Sequence, residues 1–213
     1  MLIPYTAPSG PCRAATDIQK STFIADIAPV SSLDEAAAFR DARVKEFRDA
    51  AHHCFACRIG AGQALEKSGD DGEPQGTAGH PILRVLQMQG LSNTVLVVTR
   101  YFGGIKLGAG SLTRAYSGAA AAVCRAADLV TMTPHLSVRL ILPYDAVGLF
   151  EKYIEGTALR VTERAFTDTV TVSLLAPPAD WPRCEKDLTN LTAGRLRAET
   201  LGETYVPLPA ERK

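Results

Sequence analysis

The chain has no excess of charge. Among its 213 residues, 23 lysines and arginines balance 23 aspartates and glutamates. A protein drawn to nucleic acid by its overall field shows a basic excess, so any such contact here has to come from a local patch. It has no run of 18 apolar residues, which excludes a membrane-spanning helix. Met1-Leu-Ile-Pro-Tyr5 lacks a basic stretch followed by an apolar core, so no secretion signal is read there. Nor does it have a paired set of cysteines: five is an odd number, in a chain long enough not to need staples. They read as reduced thiols, and the expected location is the cytoplasm. What the chain has in quantity is apolar residues, 46% of the total, enough for a real core in one or two domains.

Thr22–Ile27 is rich in β-branched and apolar residues and predicts a strand. Ser32-Leu-Asp-Glu35 is a capping box, and the helix it starts runs through Ala36, Phe39, Arg40, Val44 and Phe47. His52–Ile59 predicts a second strand. Gly60–Gly79 holds six glycines and three closely spaced acids, so it is expected to be loop throughout. Pro81 suits the first turn of a short helix that stops at Gly90. The continuous apolar run Val95–Val98 marks Asn93–Tyr101 as a central strand covered on both faces. The loop Phe102–Gly110 follows, then a slim helix over Ser111–Asp128 with Leu112, Ala115, Tyr116, Ala119 and Val123 as its apolar stripe.

A break is placed at Met132-Thr-Pro134, dividing the chain into 1–133 and 134–213. Beyond it the predicted elements are Leu136–Leu142, Asp145–Glu155, Leu159–Thr167, Thr169–Leu175, Trp181–Leu191 and Arg195–Val206. Their β-α-β-β-α-β order is the ferredoxin-like arrangement, so the fold class expected is α+β.

Two loops carry the candidate chemistry. Gly103-Gly-Ile-Lys-Leu-Gly108-Ala-Gly110-Ser111 leads from a buried strand into a helix start, where free amides favour an anion. Arg100, Lys106 and Arg114 add charge, and Ser111 is expected to cap the helix. The loop is neither a Walker A motif, since Ala109 stands where Lys is required, nor a dinucleotide fingerprint, since Thr113 stands in place of the third glycine. Asp70, Asp71 and Glu73 form the other feature. They suit either a Mg²⁺ ion or, as the simpler reading, ion pairing and helix capping. Cys54 and Cys57 are three apart on a strand and point to opposite faces, which argues against zinc or redox chemistry. His52, His53 and His80 include candidate bases. No G-x-S-x-G elbow surrounds Ser111, so acyl-transfer hydrolysis is poorly supported.

Asp71-Gly-Glu-Pro-Gln-Gly-Thr-Ala-Gly79, Val97-Val-Thr-Arg-Tyr-Phe-Gly-Gly-Ile-Lys-Leu-Gly108, Leu112-Thr-Arg-Ala-Tyr116 and the upstream Ala51–Gly60 together resemble the YigZ/IMPACT family. The motifs cover about residues 15–130, and domain order extends the likeness to the rest. The resemblance implies an N-terminal domain like the second domain of ribosomal protein S5, and a C-terminal ferredoxin-like domain like domain V of elongation factor G. It also implies a link to translation, since eukaryotic relatives are translational regulators. Those relatives bind the activator of the kinase that phosphorylates initiation factor 2, helped by an added N-terminal RWD domain; this chain is expected to have no room for that domain, so that partner is not expected to carry over. Three departures are His53 for Asn, Cys57 for an aromatic, and Ser111 for glycine.

The function expected is a non-enzymatic binding protein connected with translation. It would contact RNA, the ribosome or a protein partner through Asp70–Gly79 and Tyr101–Ser111. Its binding residues would be Arg100, Tyr101, Phe102, Gly103, Gly104, Lys106, Gly108, Gly110, Ser111 and Arg114, with His52 and His80 in support. No membrane contact and no catalytic residue are assigned. One alternative is a Mg²⁺-dependent enzyme acting on a phosphorylated ligand, because Gly108–Ser111 resembles in outline the phosphate loop of galactokinase-type enzymes. The other is that the loops only organise the fold, with Arg100 paired to Asp71 or Glu73.

Overall fold

In a computed structural model of the chain, residues 2–210 are described. The contacts divide them into two units. One is built on Pro4–Met132 and includes residues 207–210. The other holds Thr133–Val206 and residues 2–3.

The first unit begins with β1 (Tyr5–Pro8), β2 (Cys12–Ile18) and β3 (Ser21–Pro29). Helix α1 (Leu33–Glu46) follows, then β4 (His52–Ile59), β5 (Leu65–Gly69), α2 (Gly79–Met88), β6 (Thr94–Tyr101) and α3 (Ala109–Ala126). Five of the strands form an antiparallel sheet in the order β2-β3-β6-β4-β5. The apolar run of β6 sits at its centre. Leu96 and Val98 join the core made with α2 and α3, and Val95 and Val97 join a second cluster beneath α1. A strand buried on both faces has no room for alternation between apolar and polar residues, which explains the run.

The capping box forms with a shift of partner. Ser32 Oγ accepts from the Glu35 amide, whereas the Glu35 carboxylate takes the amide and hydroxyl of Ser31. Cys54 faces the α2–α3 core and Cys57 the α1 cluster, so the two thiols diverge.

Two expectations need correction. Gly60–Gly79 is not loop throughout, because β5 lies inside it as an edge strand on β4. Helix α3 starts at Ala109, not Ser111. At the break placed at Met132-Thr-Pro134 the backbone is strand, since β7 (Leu129–Leu142) runs through it. Pro134 falls between residues 129–132, which pair with β1, and residues 136–142, which pair with β9 (Val170–Ala176), so the missing amide costs neither ladder a bond.

The second unit adds a 3-10 turn at Tyr144–Ala146, α4 (Val147–Ile154), β8 (Arg160–Phe166), α5 (Trp181–Leu191) and β10 (Arg197–Pro209). Its strand order is β10-β7-β9-β8. That order with two helices is the ferredoxin-like arrangement. Val138, Leu140, Leu142, Val172 and Leu174 point at Phe150, Trp181 and Leu188 to make its core. No helix among the described residues is long and apolar enough to cross a membrane.

Candidate functional site

Alternation along β6 places Arg100 on the same face as Leu96 and Val98, beneath α3. The residue is only 5% exposed. Its Nη1 donates to Glu73 Oε1 at 2.7 Å, and Tyr116 Oη of α3 donates to the same oxygen at 2.8 Å. Arg100 Nη2 reaches Ser21 Oγ at 3.3 Å. The guanidinium lies between two rings, 5.4 Å from the centroid of Phe23 and 5.4 Å from that of Phe102. Burial, with Cys54 and Glu73 alongside, holds the Tyr116 phenol far above its ordinary value, so it remains a donor. Burial likewise pushes the Cys54 thiol up to about 12, and that thiol donates to the Asp70 carbonyl.

The three carboxylates of the acidic loop face three different ways. Asp70 is a cap: Oδ1 accepts from the amides of Ala78 and Gly79, and Oδ2 from that of Gly76. This ties the loop to the start of α2, which has no side-chain cap of its own at Ala78. Burial alone would raise the Asp70 carboxyl. The three amide bonds and the charge of His80 outweigh it and leave the group below its ordinary value. Asp71 sits at φ +43° and accepts the His53 amide, while Glu73 is buried against Arg100 and Tyr116. Among the described residues no three His, Cys, Asp or Glu side chains group as a metal shell.

His52 Nδ1 donates to the Asp71 carbonyl at 2.8 Å, since a carbonyl only accepts, and its Nε2 lies 3.9 Å from Glu73 Oε1. His80 is exposed in the first turn of α2.

The glycine loop is fixed at its entry and open beyond it. A Cβ on Gly103 would lie 1.9 Å from the Lys20 carbonyl oxygen, so no other residue fits there. The Gly103 amide donates to Ser21 Oγ at 3.2 Å. The loop is thereby held against the β2–β3 turn. Phe102, Gly104, Ile105, Lys106, Gly108 and Gly110 are exposed. Gly108, at φ +76°, is the N-cap residue of α3. Ser111 therefore does not cap the helix; it lies in the first turn, where its hydroxyl accepts from Arg114 Nη2 at 3.1 Å.

Two members of the expected binding set stand elsewhere. Arg100 is an interior residue and does not join Lys106 and Arg114 at the surface. Tyr101 falls on the other face of the sheet, where its hydroxyl donates to Asp49 and its ring meets Phe47 edge-on. Of the partners weighed for Arg100, Glu73 is the one it takes. The sequence places Tyr116 in an apolar stripe and in a family motif, and neither assigns a role to its hydroxyl. The signal for Arg100 was present, because residues 96, 98 and 100 share one face of a strand buried on both.

Two family models match the chain. Residues 19–124 match the Impact N-terminal domain, and residues 140–195 match a domain of unknown function, DUF1949. An IMPACT family member from the pol 5′ region of Thermus thermophilus is 39% identical over 183 residues, 85% of this chain and 99% of its own length. The IMPACT family member YigZ of Escherichia coli K12 is 31% identical over 201 residues, 93% of this chain and 98% of its own. A crystal structure described as that of a hypothetical protein aligns over 94% of this chain and 98% of its own, with a TM-score of 0.63 and 29% identity. The chain belongs to the IMPACT family.

Proposed function

We propose that this chain is a non-enzymatic regulatory protein of translation that engages a ribosomal partner through the outer face of its glycine loop. The link to translation is the expectation that comes with the family. The observation that supports the choice of surface is the Glu73–Arg100–Tyr116 cluster. It takes the Glu73 carboxylate inward as part of a scaffold and leaves Phe102, Lys106 and Arg114 outward. On this reading the acidic loop is structural and the glycine loop carries the binding. A Mg²⁺-dependent reaction on a phosphorylated ligand has weaker support, because Asp70, Asp71 and Glu73 each serve a separate protein partner.

The test is co-sedimentation with purified bacterial ribosomes at low and raised salt. Wild type is expected in the pellet at low salt and to leave it as salt rises, since the contact is carried by cations. Lys106→Glu is expected to shift most of the protein to the supernatant. Equal pelleting of wild type and variant at every salt concentration overturns the reading.

A further inference from the structure

The loop presents one aromatic ring in an unusual setting. Phe102 is 50% exposed, although it follows a strand whose preceding apolar residues are wholly buried. The Arg100 guanidinium covers the ring at 5.4 Å from its centroid. That guanidinium is itself fixed by the ion pair to Glu73. The next residue, Gly103, is wedged against the Lys20 backbone, which fixes the main chain beside the ring. Phe102 is therefore a flat apolar surface held in place before anything binds, with its outer part open to solvent.

The loop's own charges share one sign. Residues 101–114 include no aspartate or glutamate. Lys106 and Arg114 are exposed on the loop and the first turn of α3, and exposed Lys20 has its Cβ where the Gly103 backbone passes. Glu73, the carboxylate paired with the guanidinium beneath the ring, is engaged by Arg100 and Tyr116.

Resting on the reading of this loop as the contact surface, we infer that its partner is unpaired RNA, with one base stacked on Phe102 and flanking phosphates met by Lys20, Lys106 and Arg114. Aromatic rings beside exposed cations are the means by which proteins hold single strands, because every base offers a π face and every linkage an anion. A base inside a duplex is already stacked on both sides and has no face to give. An acidic protein segment would satisfy the cations and leave the ring with nothing flat to cover.

The test uses the full chain and a short fluorescent oligouridylate, alone and annealed to oligoadenylate, followed by anisotropy. Wild type is expected to bind the single strand and not the duplex. Phe102→Ala is expected to weaken binding by roughly 5- to 150-fold, the range that loss of one base–aromatic stack gives. Phe102→Trp is expected to retain binding, and its added fluorescence to be quenched as the oligonucleotide is titrated. Three phosphate contacts on a single strand predict a slope of about −2 in log affinity against log salt. Unchanged affinity in Phe102→Ala, unquenched Phe102→Trp or equal binding of the duplex overturns the inference. If ribosomes are bound in a Lys106-dependent way and the oligonucleotide is not, the RNA inference fails and the loop reading stands with a protein as partner. If neither is bound, both fail.

Discussion

Arg100 and Glu73 form a buried ion pair, Nη1 to Oε1 at 2.7 Å, between a central strand and a loop that chemistry alone would have placed at the surface. Both residues are under a tenth exposed. Removing one partner strands a charge in the interior, so Arg100→Ala is expected to cost about 3–5 kcal/mol in urea unfolding. Glu73→Gln is expected to destabilise in the same direction. The double variant Arg100→Ala/Glu73→Gln is expected to lose less than the sum of the two, since the orphaned charge is gone. Additive losses would show that the pair is not coupled.

The Asp70 carboxylate gives the acid end of the stability profile a specific cause. Its folded-state value lies below its ordinary one because three amides and His80 favour the ionised form. The stabilisation is therefore complete above the unfolded value near ~4, and is lost as pH falls through the folded value. Urea unfolding at a series of pH values is expected to show wild type weakening below that point. In Asp70→Asn the stability is expected to be lower at neutral pH and its acid dependence flatter. A parallel profile for the variant would assign the acid sensitivity elsewhere.

Two glycines of one loop are expected to differ sharply. A methyl at Gly103 would meet backbone at 1.9 Å, and backbone cannot give way. Gly103→Ala is expected to lower the melting temperature clearly and to detach the loop from the β2–β3 turn. At Gly110, inside the first turn of α3, the nearest atom to an added Cβ is the mobile Arg114 Nη1 at 3.8 Å. Gly110→Ala is expected to be neutral or to stabilise by about 0.5–1 kcal/mol. Thermal unfolding of the two variants side by side checks this.

Thiol labelling reports on the same interior. Burial raises the thiols of Cys54, to about 12, of Cys57, and of Cys124, to about 11, so little thiolate exists at neutral pH. Cys12 on β2 is half-buried. Native-state alkylation followed by peptide mass analysis is expected to modify Cys12 well before those three. Early labelling of Cys54 would mean that the core beneath α3 opens readily.

What the sequence revealed follows the strength of its patterns. The apolar run of β6 and the capping box at Ser32 were legible because each has one physical solution. The elements of the second unit were legible because their apolar residues alternate or recur at helical spacing. The strands β1, β2 and β5 left no such trace. They are short or lie at a sheet edge, and in β5 Leu65, Glu66 and Lys67 are exposed, so no apolar face is written into it. The site was half legible. Glycines and charges marked the loops, but which charge turned inward depends on strand parity at Arg100 and on the single hydroxyl of Tyr116, and neither is a compositional signal.

One buried oxygen on Glu73 receives both Arg100 and Tyr116, which bracket the glycine loop in the chain. The segment between them is thus a non-covalent ring, closed at its base as a crosslink would close it. Lengthening such a ring is thermodynamically mild, about 0.6 kcal/mol for each doubling. Added residues between Gly104 and Gly108 are free to loop outward, whereas the base from Arg100 to Gly103 tolerates none. The architecture separates a tip that can diversify from a clasp that cannot, so one scaffold can present different tips without being rebuilt.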